Sequence, residues 1–97
     1  MQDTMNVVKL SKLDVSVLGV VVEAEGPVWA KEVKNRVEKV IRRKLPNGSF
    51  YPALWRLKNL GYVEALGDIG GVDSRERYFK ATEEGKKWSD DNSEKEE

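Results

Sequence analysis

The side chains in this sequence that could do chemistry are cationic and aromatic rather than acid–base. The 97 residues include no histidine and no cysteine, which removes the commonest general base, the commonest metal ligand and any thiolate. The carboxylates are scattered and form no pair at a spacing suited to proton transfer, so neither catalysis, a metal nor a cofactor is expected. The cations are clustered instead. Residues 27–61 carry nine basic and two acidic groups, a local charge of +7, whereas residues 1–26, 62–81 and 82–97 carry −2, −1 and −4 and bring the total to zero. A polyanion feels the local field rather than the total, so Lys31, Lys34, Arg42, Arg43 and Lys44 point to phosphate contact, the plainer alternative being a solvated helix face. Arg75 and Arg77 form a second, smaller group. They suit the minor groove or backbone of a duplex, or else simply guard a strand edge.

These side chains need elements to present them. Ser11 or Asp14 can cap a first helix that runs to about Glu25, with Leu13, Val17, Val20 and Val21 at helical spacing. Its many valines weaken helix propensity, so burial must hold it, and Gly26-Pro27 stops it. A second helix is expected to begin between Val28 and Ala30. Trp29, Val33, Val37, Val40 and Ile41 form its apolar stripe, and Arg42-Arg43-Lys44 lie at its carbonyl end, where cations suit the dipole. Leu45-Pro46-Asn47-Gly48 is a turn.

A third helix begins at Asn47 or Ser49, either of which can cap it, and places Pro52 in its first turn. Phe50, Leu54 and Leu57 make its buried stripe with Ala53 and Leu60 beside it, and Gly61 closes it. Ser49, Pro52, Trp55, Arg56 and Asn59 fall on the opposite side.

The period then changes from 3.6 to 2. Residues 62–66 and 75–80 read as strands of a hairpin around a glycine-rich loop at 67–74. Thr82 caps a last helix reaching about Asn92, anchored by Trp88. Residues 1–10 read as a loose arm and 89–97 as an acidic, disordered tail, leaving 11–88 as the domain. The apolar run Val15 to Val22 is interrupted by Gly19 and too short to span a bilayer, and no signal-peptide pattern is present, so a cytoplasmic chain is expected.

The order helix, helix, tight turn, helix, hairpin, helix describes an α+β, mostly α, winged helix-turn-helix: a three-helix core, a two-stranded wing and a short C-terminal helix. The third helix would enter a major groove, offering Ser49, Tyr51, Pro52, Trp55, Arg56 and Asn59 to double-stranded DNA. Arg56 lies off the apolar stripe and reads as exposed, touching a base edge or phosphate or else serving as an ordinary surface arginine. Trp55 has three readings: stacking in a groove, packing under the wing, or joining a protein interface. Tyr51 reaches a phosphate or sits half-buried. Trp29 and Trp88 read as core anchors.

Asn47-Gly48-Ser49-Phe50-Tyr51-Pro52-Ala53-Leu54-Trp55-Arg56-Leu57, followed by Gly61-Tyr62-Val63-Glu64, resembles the recognition helix of PadR-like transcriptional regulators. Arg77-Tyr78-Phe79-Lys80-Ala81-Thr82-Glu83-Glu84-Gly85 is similar to that family's wing strand and the start of its last helix. Leu13 to Pro27 is similar to its first helix and turn. The chain departs from the family in having Trp29-Ala30-Lys31 where a Gly-Tyr pair is usual, and in its short last helix. The resemblance implies a homodimeric regulator, a repressor, whose two recognition helices enter successive major grooves about 34 Å apart. The same fold can also serve as a protein-interaction module or a small-molecule-responsive regulator.

Overall fold

The computed structural model describes residues 10–67 and 78–93. The expectations for the arm before Leu10, the loop tip with Arg75 and Arg77, and the end of the tail lie outside them. The elements are α1 (Lys12–Ala24), β1 (Val28–Trp29), α2 (Ala30–Ile41), α3 (Asn47–Asn59), β2 (Val63–Gly67), β3 (Tyr78–Ala81) and α4 (Glu83–Ser93). The result is a mostly helical winged fold of four helices and a small antiparallel sheet.

α1 is the hub, packing against α2, α3, α4 and β3. Its start is fixed by a capping box. The Ser11 hydroxyl accepts the Asp14 N–H (3.1 Å), and Asp14 Oδ2 accepts the Ser11 N–H (3.2 Å). Both residues expected to cap this helix therefore do so together. Val17, Leu18 and Val21 of α1 close on Val33 and Val37 of α2, Phe50, Leu54 and Leu57 of α3, and Val63 and Phe79 of the sheet.

The start of α2 differs from expectation. Val28 and Trp29 are not its first turn but a short strand, pairing Val28 with Phe79 and Trp29 with Tyr78. The wing thereby gains a third strand, in the order β1-β3-β2. A β-branched residue followed by an aromatic suits a strand. The pleat buries Val28 and turns Trp29 outward. Trp29 is 42% exposed with its ring edge-on to Tyr78 (5.4 Å), so it is not a core anchor. Val40, at 62% exposure, also lies off the stripe, which consists of Ala30, Val33 and Val37 with Ile41 partly buried.

Glu38 organises the turn between α2 and α3. Its carbonyl accepts the N–H groups of Arg42 (2.8 Å) and Arg43 (3.2 Å), with Arg42 in the left-handed region (φ 62°). Its side-chain Oε2 accepts the Leu45 N–H (2.8 Å), pulling buried Leu45 back over the helix end.

α3 starts without a side-chain cap. Pro46 occupies the cap position, and its carbonyl accepts from Ser49 (2.9 Å) and Phe50 (3.0 Å), so neither Asn47 nor Ser49 caps the helix. Pro52 consequently lies inside the helix, past its first turn, and withholds an N–H from the Gly48 carbonyl. The far end closes as a Schellman turn. Tyr62 N–H donates to Leu57 O and Gly61 N–H to Lys58 O, both at 3.0 Å, with Gly61 at φ 86°. Leu60, beside that turn, is half-exposed rather than part of the buried stripe.

α4 is tied to this closure. The Thr82 hydroxyl donates to Gly61 O (2.6 Å) and accepts the Gly85 N–H (3.0 Å), while the Thr82 N–H donates to Tyr62 O (3.0 Å). Trp88 is partly buried, tilted against Tyr62 (6.1 Å). The helix continues to Ser93, so the first part of the segment expected as tail is helical.

Three stability measurements follow, all read by chemical denaturation. A Cβ at Gly85 would collide with the backbone carbonyl of Tyr62, which has no flexible end to move aside. Gly85→Ala is expected to cost about 1–3 kcal/mol. Glu38→Ala, which strips the Leu45 amide of its acceptor, is expected to cost about 1–2 kcal/mol. Glu32→Ala, removing only a surface pair with Arg36 (2.9 Å), should change stability by less than about 1 kcal/mol.

Candidate nucleic-acid interface

At 3.6 residues per turn, α3 divides into a core face, an opposite side and two flanks. Phe50, Ala53, Leu54 and Leu57 face the core. Pro52 and Asn59 lie on the side directly opposite and are exposed. Between these faces run two flanks, with Ser49 and Arg56 on one and Tyr51, Trp55 and Lys58 on the other.

Each flank is held by a different part of the molecule. Arg56 Nη1 lies 3.0 Å from Asp14 Oδ1, so the arginine is a bridge to α1 rather than an unengaged surface arm. Its side chain remains 48% exposed, whereas that of Asp14 is 3% exposed. Sequence spacing offered no way to see this: the partners are 42 residues apart. On the other flank Trp55 packs edge-on against Phe79 of β3 (6.0 Å), which is the wing-packing reading among its three. Its indole is still 36% exposed, and the Lys58 ammonium sits 5.1 Å from the ring centroid. Tyr51 is half-buried and edge-on to Phe50 (4.9 Å).

The two flanking contacts brace α3 on opposite sides. Pro52 and Asn59 are left as an exposed strip, rimmed by Arg56 and Trp55, which exposed Ser49 extends on the Arg56 flank. Arg42, Arg43 and Lys44 are exposed in the turn that leads into α3, beside its N-terminal end. That end has no acidic residue in its first turn. Arg43 and Lys44 also line an open surface depression with Asn35 and Lys39 of α2. Lys31 is exposed on the first turn of α2, whereas Lys34 is partly covered and reaches Glu38 at 3.9 Å. The basic candidates are therefore spread over both ends of α2, with the Arg42–Lys44 group nearest the strip.

Four residues with defined work here were absent from the sequence candidates for this surface. Asp14 and Glu38 anchor what the surface stands on, Thr82 locks its far end, and Lys58 covers Trp55. Lys58 had a readable signal, since it lies three residues after Trp55 on one helix face. Among the described residues there is no group of three or more Asp or Glu that could hold a metal ion. None of the described helices is long and apolar enough to cross a membrane.

Comparisons with known proteins bear on this geometry. The transcriptional regulator PadR-like family matches residues 17–90, from within α1 to α4. Among solved structures, RosR of H. salinarum superposes with a TM-score of 0.75 at 26% identity, covering 89% of this chain and 73% of that one. Bacillus subtilis PadR, solved in complex with operator DNA, gives 0.68 at 18% identity, covering 84% of this chain and 46% of that one. F-93 of SSV1 gives 0.65 at 20% identity, covering 86% and 80%. A comparison with curated protein sequences returns no significant match. With the family match extending over most of the chain, and the same fold in these neighbours, the protein belongs to the PadR-like family of transcriptional regulators.

Proposed function

We propose that this chain is a sequence-specific, double-stranded DNA-binding transcriptional regulator, acting in the cytoplasm as a homodimeric repressor. The observation that carries the reading is the exposed strip of α3, Ser49, Pro52 and Asn59, with Arg42, Arg43 and Lys44 beside its N-terminal end. A helix fits the major groove, and its outward side chains reach base edges there. Cations at the flank neutralise phosphates and release counterions, which supplies affinity without sequence preference. Lys31 on α2, and Arg75 and Arg77 in the wing, would extend the backbone contacts. The half-exposed edges of Trp55 and Arg56 would border the groove rather than read it. Membership of a family of transcriptional regulators and the operator complex of the B. subtilis neighbour support the same assignment. Two recognition helices in one dimer would ask for half-sites about 34 Å apart, hence a pseudo-palindrome.

The test is a gel-shift titration on a duplex enriched from a random-sequence pool and on random duplex, at about 50 and 200 mM salt. Tighter binding to the enriched duplex, steep loss with salt and a complex containing two chains are expected. Replacing Arg42, Arg43 and Lys44 together by alanine should flatten the salt slope by up to about three units while leaving preference largely intact. No retarded species on any duplex at the lower salt would overturn the assignment.

A further inference from the structure

Asp14 is the buried polar residue that the duplex-facing surface does not use. It is 2% exposed at the start of α1 and bonds to Arg56 of α3. One carboxylate oxygen is occupied by the Ser11 N–H of the capping box, the other by Arg56 Nη1. The Ser11–Asp14 bonds are local and set where α1 begins. The bond to Arg56 is different in kind, because it joins two helices at one point of each. Arg56 lies on one flank of α3 and Trp55 on the other, so α3 is braced against α1 and against β3 on opposite sides. Rotation of α3 about its axis by one residue's worth, about 100°, would replace the exposed strip entirely. A much smaller roll misaligns side chains with base edges, whose hydrogen-bond patterns demand defined angles.

We propose that Asp14, acting through Arg56, is a specificity-determining positioning residue: the pair sets the roll of α3 and so determines which base edges Ser49, Pro52 and Asn59 can meet. This rests on the DNA-binding reading above. The pair contributes discrimination between sequences and little to phosphate affinity, since Asp14 is buried and carries the wrong sign to attract a duplex. A 3.0 Å charged hydrogen bond constrains angle as well as distance, which suits the pair to fixing an orientation.

The experiment compares wild type, Asp14→Asn and Arg56→Lys, each at a temperature where circular dichroism shows it fully folded. The readout is the ratio of affinities for the duplex enriched by wild type and for random duplex, with the salt slope on random duplex measured alongside. Asp14→Asn keeps the volume and one acceptor oxygen but removes the charge that fixes Arg56. A fall in the ratio on the order of tenfold, with random-duplex affinity and slope unchanged, is expected. Arg56→Lys keeps the cation but loses the planar fork, and its ratio should fall as well. It also carries the test if Asp14→Asn does not fold. A ratio that stays at the wild-type value in the folded variants overturns the proposal, because a merely structural pair would lower stability and leave discrimination alone. A drop in random-duplex affinity and salt slope for Arg56→Lys, with the ratio intact, also overturns it and makes Arg56 a phosphate contact. If wild type itself binds no duplex, the DNA-binding reading fails and this one with it, an outcome distinct from an unchanged ratio.

Discussion

A carboxylate enclosed in an apolar core costs several kcal/mol unless it is paired and hydrogen-bonded. Asp14 meets that constraint with an amide at the start of its own helix and a guanidinium from α3. The consequence is directional. Apolar packing of valine-rich α1 is non-directional, whereas a charged hydrogen bond specifies an angle. As α1 also packs on α2, α4 and β3, fixing it against α3 orders the remaining elements around one axis.

The opposite end of α3 is held by backbone rather than charge. Gly61 turns into the left-handed region, freeing its carbonyl for the Thr82 hydroxyl, and the Tyr62 carbonyl takes the Thr82 amide. Gly85 lets α4 come against that same Tyr62 backbone. The segment Thr82-Glu83-Glu84-Gly85 therefore has a physical reason for its composition. Thr caps, the acidic pair suits the positive end of the helix dipole, and Gly permits the approach. Because β2 follows Tyr62 and β3 precedes Thr82, the knot also sets the root of the hairpin relative to α3. The wing and the recognition helix are thus positioned by one cluster of hydrogen bonds.

What the sequence disclosed divides along the range of the forces involved. The helices of the core, their order, the Gly61 closure and the fold family are written in local periods and turn chemistry, and these were readable. Trp29 was not, because an aromatic at helical spacing from Val33 looks the same whether it begins a helix or ends a strand. Only pairing with β3, some fifty residues away, turns it outward. Val40 failed for a related reason: it completes an i+3 pattern with Val37, but the core ends one turn earlier. Pro52 was assigned to a first turn because proline usually sits there, whereas Pro46 had already taken the start of the helix. Arg56 is exposed as its place off the stripe implied, but its bridge to Asp14 was not readable, because the partner is on another helix, 42 residues away.

The charge distribution shows why the surface and the scaffold could be read separately. The excess of cations between residues 27 and 61 falls mainly on faces that do not pack, at Lys31, Lys39, Arg42, Arg43 and Lys44. Several charges in this region are drawn into structure: Glu38 holds the turn and receives Lys34, Glu32 receives Arg36, Arg56 goes to Asp14, and Lys58 lies over the Trp55 ring. Lys31, Lys39, Arg42, Arg43 and Lys44 lie exposed on the outside of α2 and its turn. A polyanion approaching that side meets a field set by surface residues, while the groups that orient α3 lie behind it. The exposed cations and the side chains that brace α3 are therefore different sets, and substitutions in one need not disturb the other.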